Sequence, residues 1–166
     1  GSIAVLGTRA TVRSDAYRLA IHERDPTRTV YQIPCPLFVP LIEEGWLDHD
    51  VTRTVAETYL AALRGTDVDT VILGCTHYPL LSPMLTEILQ ETLGGAVKVI
   101  DSATAVASAA KSMLTTLGLN RRDGVGTQHF YVTDAPERVA SVAGQFWASS
   151  AVESLQLEHI DLLDHS

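Results

Sequence analysis

One six-residue stretch combines the residue types that proton transfer needs: Gly74-Cys75-Thr76-His77-Tyr78-Pro79. Thiolate is the reactive form of cysteine, and imidazole changes its charge near neutral pH, so His77 suits proton exchange with Cys75 or with a bound substrate. The stretch follows a β-branched run, residues 70–73, and precedes a helical pattern over residues 80–93. Open α/β sheets bind ligands at such a place, outside the carboxyl ends of their strands. Backbone N–H groups at the start of the following helix would also favour an anion at Cys75. A plainer reading fits the same residues, with Cys75 a small buried apolar side chain and His77 a capped loop histidine. Position alone leaves both open.

The chain has one other cysteine, Cys35. Both cysteines lie in apolar sequence without the spacing of a disulfide framework, so two reduced thiols are expected. There is no Cys-x-x-Cys pair and no histidine pair at helical spacing, and no metal site is expected.

The elements that must hold these residues alternate between β-branched runs and helical patterns. That is the order of parallel strands joined by crossover helices, so the expected class is α/β, a parallel sheet flanked by helices. Ile3-Ala4-Val5-Leu6 reads as a buried strand ending at Gly7-Thr8, with Ser14 as the N-cap of a helix over residues 15–24. Gly1-Ser2 has the look of a tag-removal scar and is left outside the strand. A second extended run covers residues 29–33, and Pro34-Cys35-Pro36 forces a non-helical passage into the apolar segment 37–42, closed by Glu43-Glu44-Gly45.

Apolar residues at helical spacing follow over 51–63 (Val55, Tyr59, Leu60, Leu63), with a stop at Gly65. The strand 70–73, the helix 80–93, a strand over 97–100 and an alanine-rich helix from Asp101-Ser102 to Leu117 complete a block over residues 1–119. Residues 120–127 hold two arginines, an aspartate and two glycines without periodicity, and read as a linker at a domain boundary. A strand over 129–133, a helix over 136–147 and a polar strand over 152–158 make a βαβ tail, residues 128–166, too small for a core of its own.

With 166 residues, 46% of them hydrophobic, the chain is long enough to bury a sizeable core. A net charge of −8 excludes non-specific attraction to nucleic acid or anionic lipid, which need a basic surface. No apolar run approaches the roughly 20 residues of a membrane span, and the start lacks the features of a signal peptide, so a soluble cytoplasmic protein with small-molecule partners is expected.

Taken together the motifs resemble a known family. Leu73-Gly74-Cys75-Thr76-His77-Tyr78-Pro79-Leu80-Leu81 resembles the signature around the second catalytic cysteine in the glutamate-specific members of the aspartate/glutamate racemase family. Gly7-Thr8-Arg9-Ala10-Thr11, followed by Ser14 and Ala16-Tyr17, resembles another family signature in the same chain order, and Cys35-Pro36-Leu37-Phe38-Val39-Pro40-Leu41-Ile42-Glu43-Glu44-Gly45 resembles a third. The similarity continues through Ile100-Asp101-Ser102 and Tyr131-Val132-Thr133-Asp134, spanning residues 3–160. Relatives that racemise aspartate tend to carry an acidic residue where this chain has His77, which favours glutamate.

The resemblance implies a flavodoxin-like domain and a cofactor-independent interconversion of L-glutamate and D-glutamate, supplying D-glutamate for peptidoglycan. Two bases are needed, because a single base would tend to return the α-proton to the face it came from. By resemblance Cys75 is one of two catalytic cysteines, His77 and Glu43 are its acid–base groups, and Thr8, Thr11 and Thr76 contact the substrate, their hydroxyls suiting its carboxylates. Without that context the threonines read as caps and turns, and Glu43, beside Glu44, as a charged helix end. Cys35 matches a position where family members often have a non-catalytic cysteine, and is read as a buried structural thiol.

The family's first catalytic cysteine lies in an N-terminal portion without a counterpart here. The isolated chain is therefore expected not to racemise, its tail to complete the missing first domain, and the protein to form a homo-oligomer. Two other readings stand beside this one: a non-catalytic amino-acid-binding or regulatory module of the same fold, and an aspartate racemase.

Overall fold

A strand with neighbours on both sides and layers on both faces needs an almost unbroken apolar run, and Ile3-Ala4-Val5-Leu6 supplies one. The structure, a computed structural model, describes residues 1–121, 123–124, 129–146 and 157–161. It divides into two units, Gly1–Gly118 and Leu119–Ser166.

In the first unit β1 (Ser2–Gly7) pairs in parallel with β2 (Val30–Pro34) on one side and β3 (Val68–Leu73) on the other. Strand β4 (Lys98–Asp101) adds to β3 in parallel, giving the order β2-β1-β3-β4. The chain steps outward from β1 to β2 and then crosses back to β3. The order thus reverses between β1 and β3, and sheets of this kind bind ligands beyond the carboxyl ends of the strands at such a point.

The helices are α1 (Arg9–Ser14), α2 (Ala16–Arg24), α3 (Phe38–Glu43), α4 (Asp50–Leu60), α5 (Ser82–Leu93) and α6 (Ser102–Thr116). The main core joins Ala4, Leu6, Val71 and Leu73 of the sheet to Phe38 and Ile42 of α3, Leu60 of α4, and Leu85 and Leu89 of α5. Each fully buried Leu, Ile or Phe contributes about 1.5–3 kcal/mol. This layer fixes α3 against the end of β3. The opposite face of the sheet is thinner, with Ile3, Ile72 and Ile100 only half-buried. Helix α6 buries none of its residues, and Val106 is 66% and Met113 64% exposed.

Several local expectations change. Ser2 belongs to β1: it is buried, its N–H donates to Asp67 O at 3.1 Å and its hydroxyl to Asp67 Oδ1 at 2.6 Å. The helix expected over 15–24 is the second of two. Ser14 ends α1, and Asp15, at φ 58°, turns the chain into α2. Ser14 still accepts from Ala16 N–H at 3.4 Å, a weak version of the expected cap. A 3₁₀ turn, Tyr78–Leu81, separates the Cys75 loop from α5, so Cys75 is not in the first turn of an α-helix.

In the second unit β5 (Phe130–Val132) and β6 (Leu157–His159) pair in parallel, with α7 (Pro136–Phe146) between them in sequence. Residues 152–156 of the expected last strand, residue 147 of the expected helix and residues 122 and 125–127 of the expected linker lie outside the described residues. Among the described residues no helix is long and apolar enough to cross a membrane, and no three His, Cys, Asp or Glu side chains group as metal ligands.

Candidate active site

Two glycines let the strand ends approach each other. At Gly74, just past β3, the N–H donates to Leu6 O at 2.7 Å. A Cβ there would lie 3.0 Å from that same carbonyl oxygen and 3.0 Å from Tyr17 Cε2. At Gly7, the end of β1, a Cβ would lie 3.0 Å from Thr11 Cγ2. Leu6 and Leu73 are register partners. The loops that begin at Thr8 and Cys75 therefore leave adjacent strands, on the two sides of the switch point.

Thr8 caps α1. Its hydroxyl oxygen accepts from Thr11 N–H at 3.2 Å and lies 3.0 Å from the Thr11 hydroxyl. The two half-buried threonines thus hold each other. Cys75 is a free, half-buried cysteine packed against the main core, Thr76 is exposed, and His77 is half-buried.

The Cys75 loop and α3 bring an imidazole and a carboxylate together. His77 Nε2 lies 3.5 Å from Glu43 Oε1, the two side chains being 25% and 23% exposed. Glu43 is the last residue of α3 and half-buried, while its neighbour Glu44 is exposed. That separates two glutamates which sequence alone leaves equivalent. A partly shielded carboxylate beside an imidazole can orient the ring and share its proton, so the pair suits proton relay close to a thiol.

Cys35 lies elsewhere in character. Its N–H donates to Gly7 O at 2.8 Å, its thiol contacts Ile33 O at 3.5 Å, and it is completely buried. Burial pushes the thiol up to about 12 from its ordinary 9.0. At pH 7 about one part in 10⁵ is then thiolate.

Tyr78 is a residue of the site that sequence reasoning passes over. It is completely buried, its hydroxyl donates to Cys35 O at 2.8 Å, and its ring meets Phe38 edge-on with centroids 5.2 Å apart. Nothing in the sequence signals this beyond its place in the Cys75 stretch, because a tyrosine there carries no chemistry of its own.

The sequence model of the Asp/Glu/Hydantoin racemase family matches residues 1–110, two thirds of the chain. The chain belongs to this family. Thr8, Thr11, Glu43, Cys75, Thr76 and His77 all fall within the racemase-family match. Among individual proteins, the glutamate racemase of Chlorobaculum tepidum is 48% identical over 139 residues, 83% of this chain and 50% of the relative. That of Syntrophus aciditrophicus is 40% identical over 159 residues, 94% of this chain and 57% of the relative. The crystal structure of Francisella tularensis glutamate racemase in complex with D-glutamate superposes with a TM-score of 0.79 at 32% identity, covering 98% of this chain and 57% of that one. The α/β fold with its parallel sheet is thus that of a solved racemase. The chain spans about half the length of the curated relatives it matches.

Proposed function

We propose that this chain is the C-terminal part of a glutamate racemase that interconverts L-glutamate and D-glutamate without a cofactor, feeding peptidoglycan synthesis in the cytoplasm. The observation that carries the reading is Cys75 at the switch point of the sheet, two residues from an imidazole held 3.5 Å from Glu43. The Cys75 thiolate takes the α-proton from one enantiomer, and a thiol on the other face gives a proton to the resulting carbanion. In the reverse direction Cys75 starts as the thiol and donates. His77 exchanges the proton with Cys75, and Glu43 fixes the ring's orientation. Thr8, Thr11 and Thr76 offer hydroxyls to the substrate carboxylates. His77 in place of an acidic residue favours glutamate over aspartate, and the D-glutamate bound by the Francisella tularensis relative supports that choice.

The opposing thiol comes from outside these residues. Cys35 is too buried, and at about 12 too firmly protonated, to act as a base at neutral pH. The isolated chain therefore does not racemise glutamate. The tail, residues 128–166 beyond a linker at 120–127, belongs with the complementary N-terminal portion. The exposed apolar side chains of α6 support such a partner surface, and the assembled enzyme is a homo-oligomer.

The test compares this chain alone with the chain joined to the N-terminal half of the Chlorobaculum tepidum relative, using L-glutamate and a coupled assay for the D-enantiomer. Racemisation is expected only from the joined protein. Clear racemisation by the chain alone would put the second base within these residues, and none from a folded joined protein would contradict the function itself.

A further inference from the structure

The Glu43–His77 pair draws its members from two different segments, the end of α3 and the loop after β3. One buried side chain, Tyr78, touches both segments. Tyr78 follows His77 directly, and its N–H donates to Cys75 O at 3.2 Å, closing the turn that contains Cys75, Thr76 and His77. Its hydroxyl donates to Cys35 O at 2.8 Å, in the passage between β2 and α3. Its ring stands edge-on, at 88°, to that of Phe38, the first residue of α3. Phe38 is held in turn edge-on to Tyr59, whose hydroxyl oxygen accepts from Leu37 N–H at 3.3 Å.

A phenylalanine at position 78 would fill the same volume without carrying a hydroxyl into the core, where a polar group is unfavourable unless hydrogen-bonded. The hydroxyl's partner is a backbone carbonyl 43 residues away in sequence, so the bond acts as a tie between segments and does not serve its own turn. Burial pushes the hydroxyl's pKa upward, so it stays protonated and a donor around neutral pH. The Cys35 carbonyl also accepts from Phe38 N–H at 3.3 Å, so removing the Tyr78 hydroxyl leaves it a partner.

We propose that Tyr78 is a positioning residue for the proton-relay pair: by bonding the Cys35 carbonyl and packing on Phe38 it holds the loop carrying Cys75 and His77 in register with Glu43 on α3. This rests on the acid–base reading of Glu43 and His77 given above, but its test needs no substrate and no turnover, so it can fail while racemisation stands, and the reverse.

The test follows the imidazole resonances of His77 by NMR in this chain across neutral pH, with His22 and His49 as internal controls. Glu43→Gln should move the His77 resonances and leave the controls in place. Tyr78→Phe should move them in the same direction by at least half as much, and the double substitution should move them no further than Glu43→Gln alone, since both changes break one arrangement. A folded Tyr78→Phe chain whose His77 signals coincide with wild type, while Glu43→Gln shifts them, overturns the proposal. Additive shifts in the double variant overturn it as well, and a Glu43→Gln chain with His77 unmoved removes the pair and the proposal together. Where Tyr78→Phe does not fold, Phe38→Leu keeps the hydroxyl and removes the ring edge shared with α3. It should also shift His77, and unmoved signals there are equally decisive against the tie.

Discussion

Iodoacetamide offered to the folded chain at pH 8 should distinguish its two cysteines sharply. Cys35 has no accessible surface, and burial pushes its thiol up to about 12 from an ordinary 9.0. At pH 8 a thiol at the ordinary value is roughly one-tenth ionised, whereas one at about 12 is ionised to about one part in 10⁴. Thiolate is the form that alkylates, so Cys35 should react about 10³-fold more slowly than a free-thiol reference such as N-acetylcysteine. Steric exclusion slows it further. Cys75, half-buried in the loop after β3, should be modified first and to completion. Timed quenching, proteolysis and mass spectrometry of the two cysteine peptides give both rates, and a denaturant series should release Cys35 only as the chain unfolds. A Cys35 rate within tenfold of the reference in the folded chain would refute the buried environment. It would also readmit Cys35 as a proton-transfer group and undo the argument that a second base must come from elsewhere.

Gly74→Ala should destabilise the first unit by about 1–3 kcal/mol, because the new methyl overpacks against Leu6 O and Tyr17 Cε2, each 3.0 Å away, and Val5 Cγ1 at 3.2 Å. A denaturant midpoint equal to wild type would contradict the close approach of the strand ends. Asp101 caps α6, its Oδ1 accepting from Thr104 N–H at 2.7 Å, and chiefly that bond holds its carboxyl below the ordinary 3.8. Since the folded value lies below the unfolded one, the contribution is fully present above the ordinary value and is lost as pH falls through the folded one. Asp101→Ala should therefore cost about 1 kcal/mol at pH 7, with a gap to wild type that narrows as the solution is acidified below 3.8. A gap of constant size across that window would show that the carboxylate charge contributes nothing to the cap.

What could be read from the sequence were the parts whose local pattern and tertiary role agree. The run Ile3 to Leu6 announces a central strand because centrality itself demands apolar residues on both faces. The Cys75 stretch is legible because a turn between a strand and a helix is where such sheets bind ligands. The break at Asp15 is not legible, since both sides of it are compatible with one helix. Its left-handed turn is supported from a distance, by Gln32 Nε2 donating to Asp15 Oδ1 at 2.6 Å and by the Arg18 guanidinium. Helix α3, within the segment read only as apolar, contains Pro40 in its first turn, where the missing N–H would have no intrahelical partner. The choice between Glu43 and Glu44 depends on which way the end of α3 faces, and this is set by Phe38 and Ile42 entering the core. Tyr78 escapes notice because its tie to Cys35 spans 43 residues and leaves no local pattern.

The central claim is that Cys75, besides packing against the core, moves a proton. Its most direct test is Cys75→Ser in a full-length racemase containing this chain, read by incorporation of solvent deuterium at the glutamate α-carbon. Removing an acid–base group of this kind should lower exchange and racemisation by about 10²–10⁴-fold, with the circular dichroism spectrum and denaturant midpoint near those of the parent. A folded Cys75→Ser enzyme that keeps most of its turnover would contradict the account.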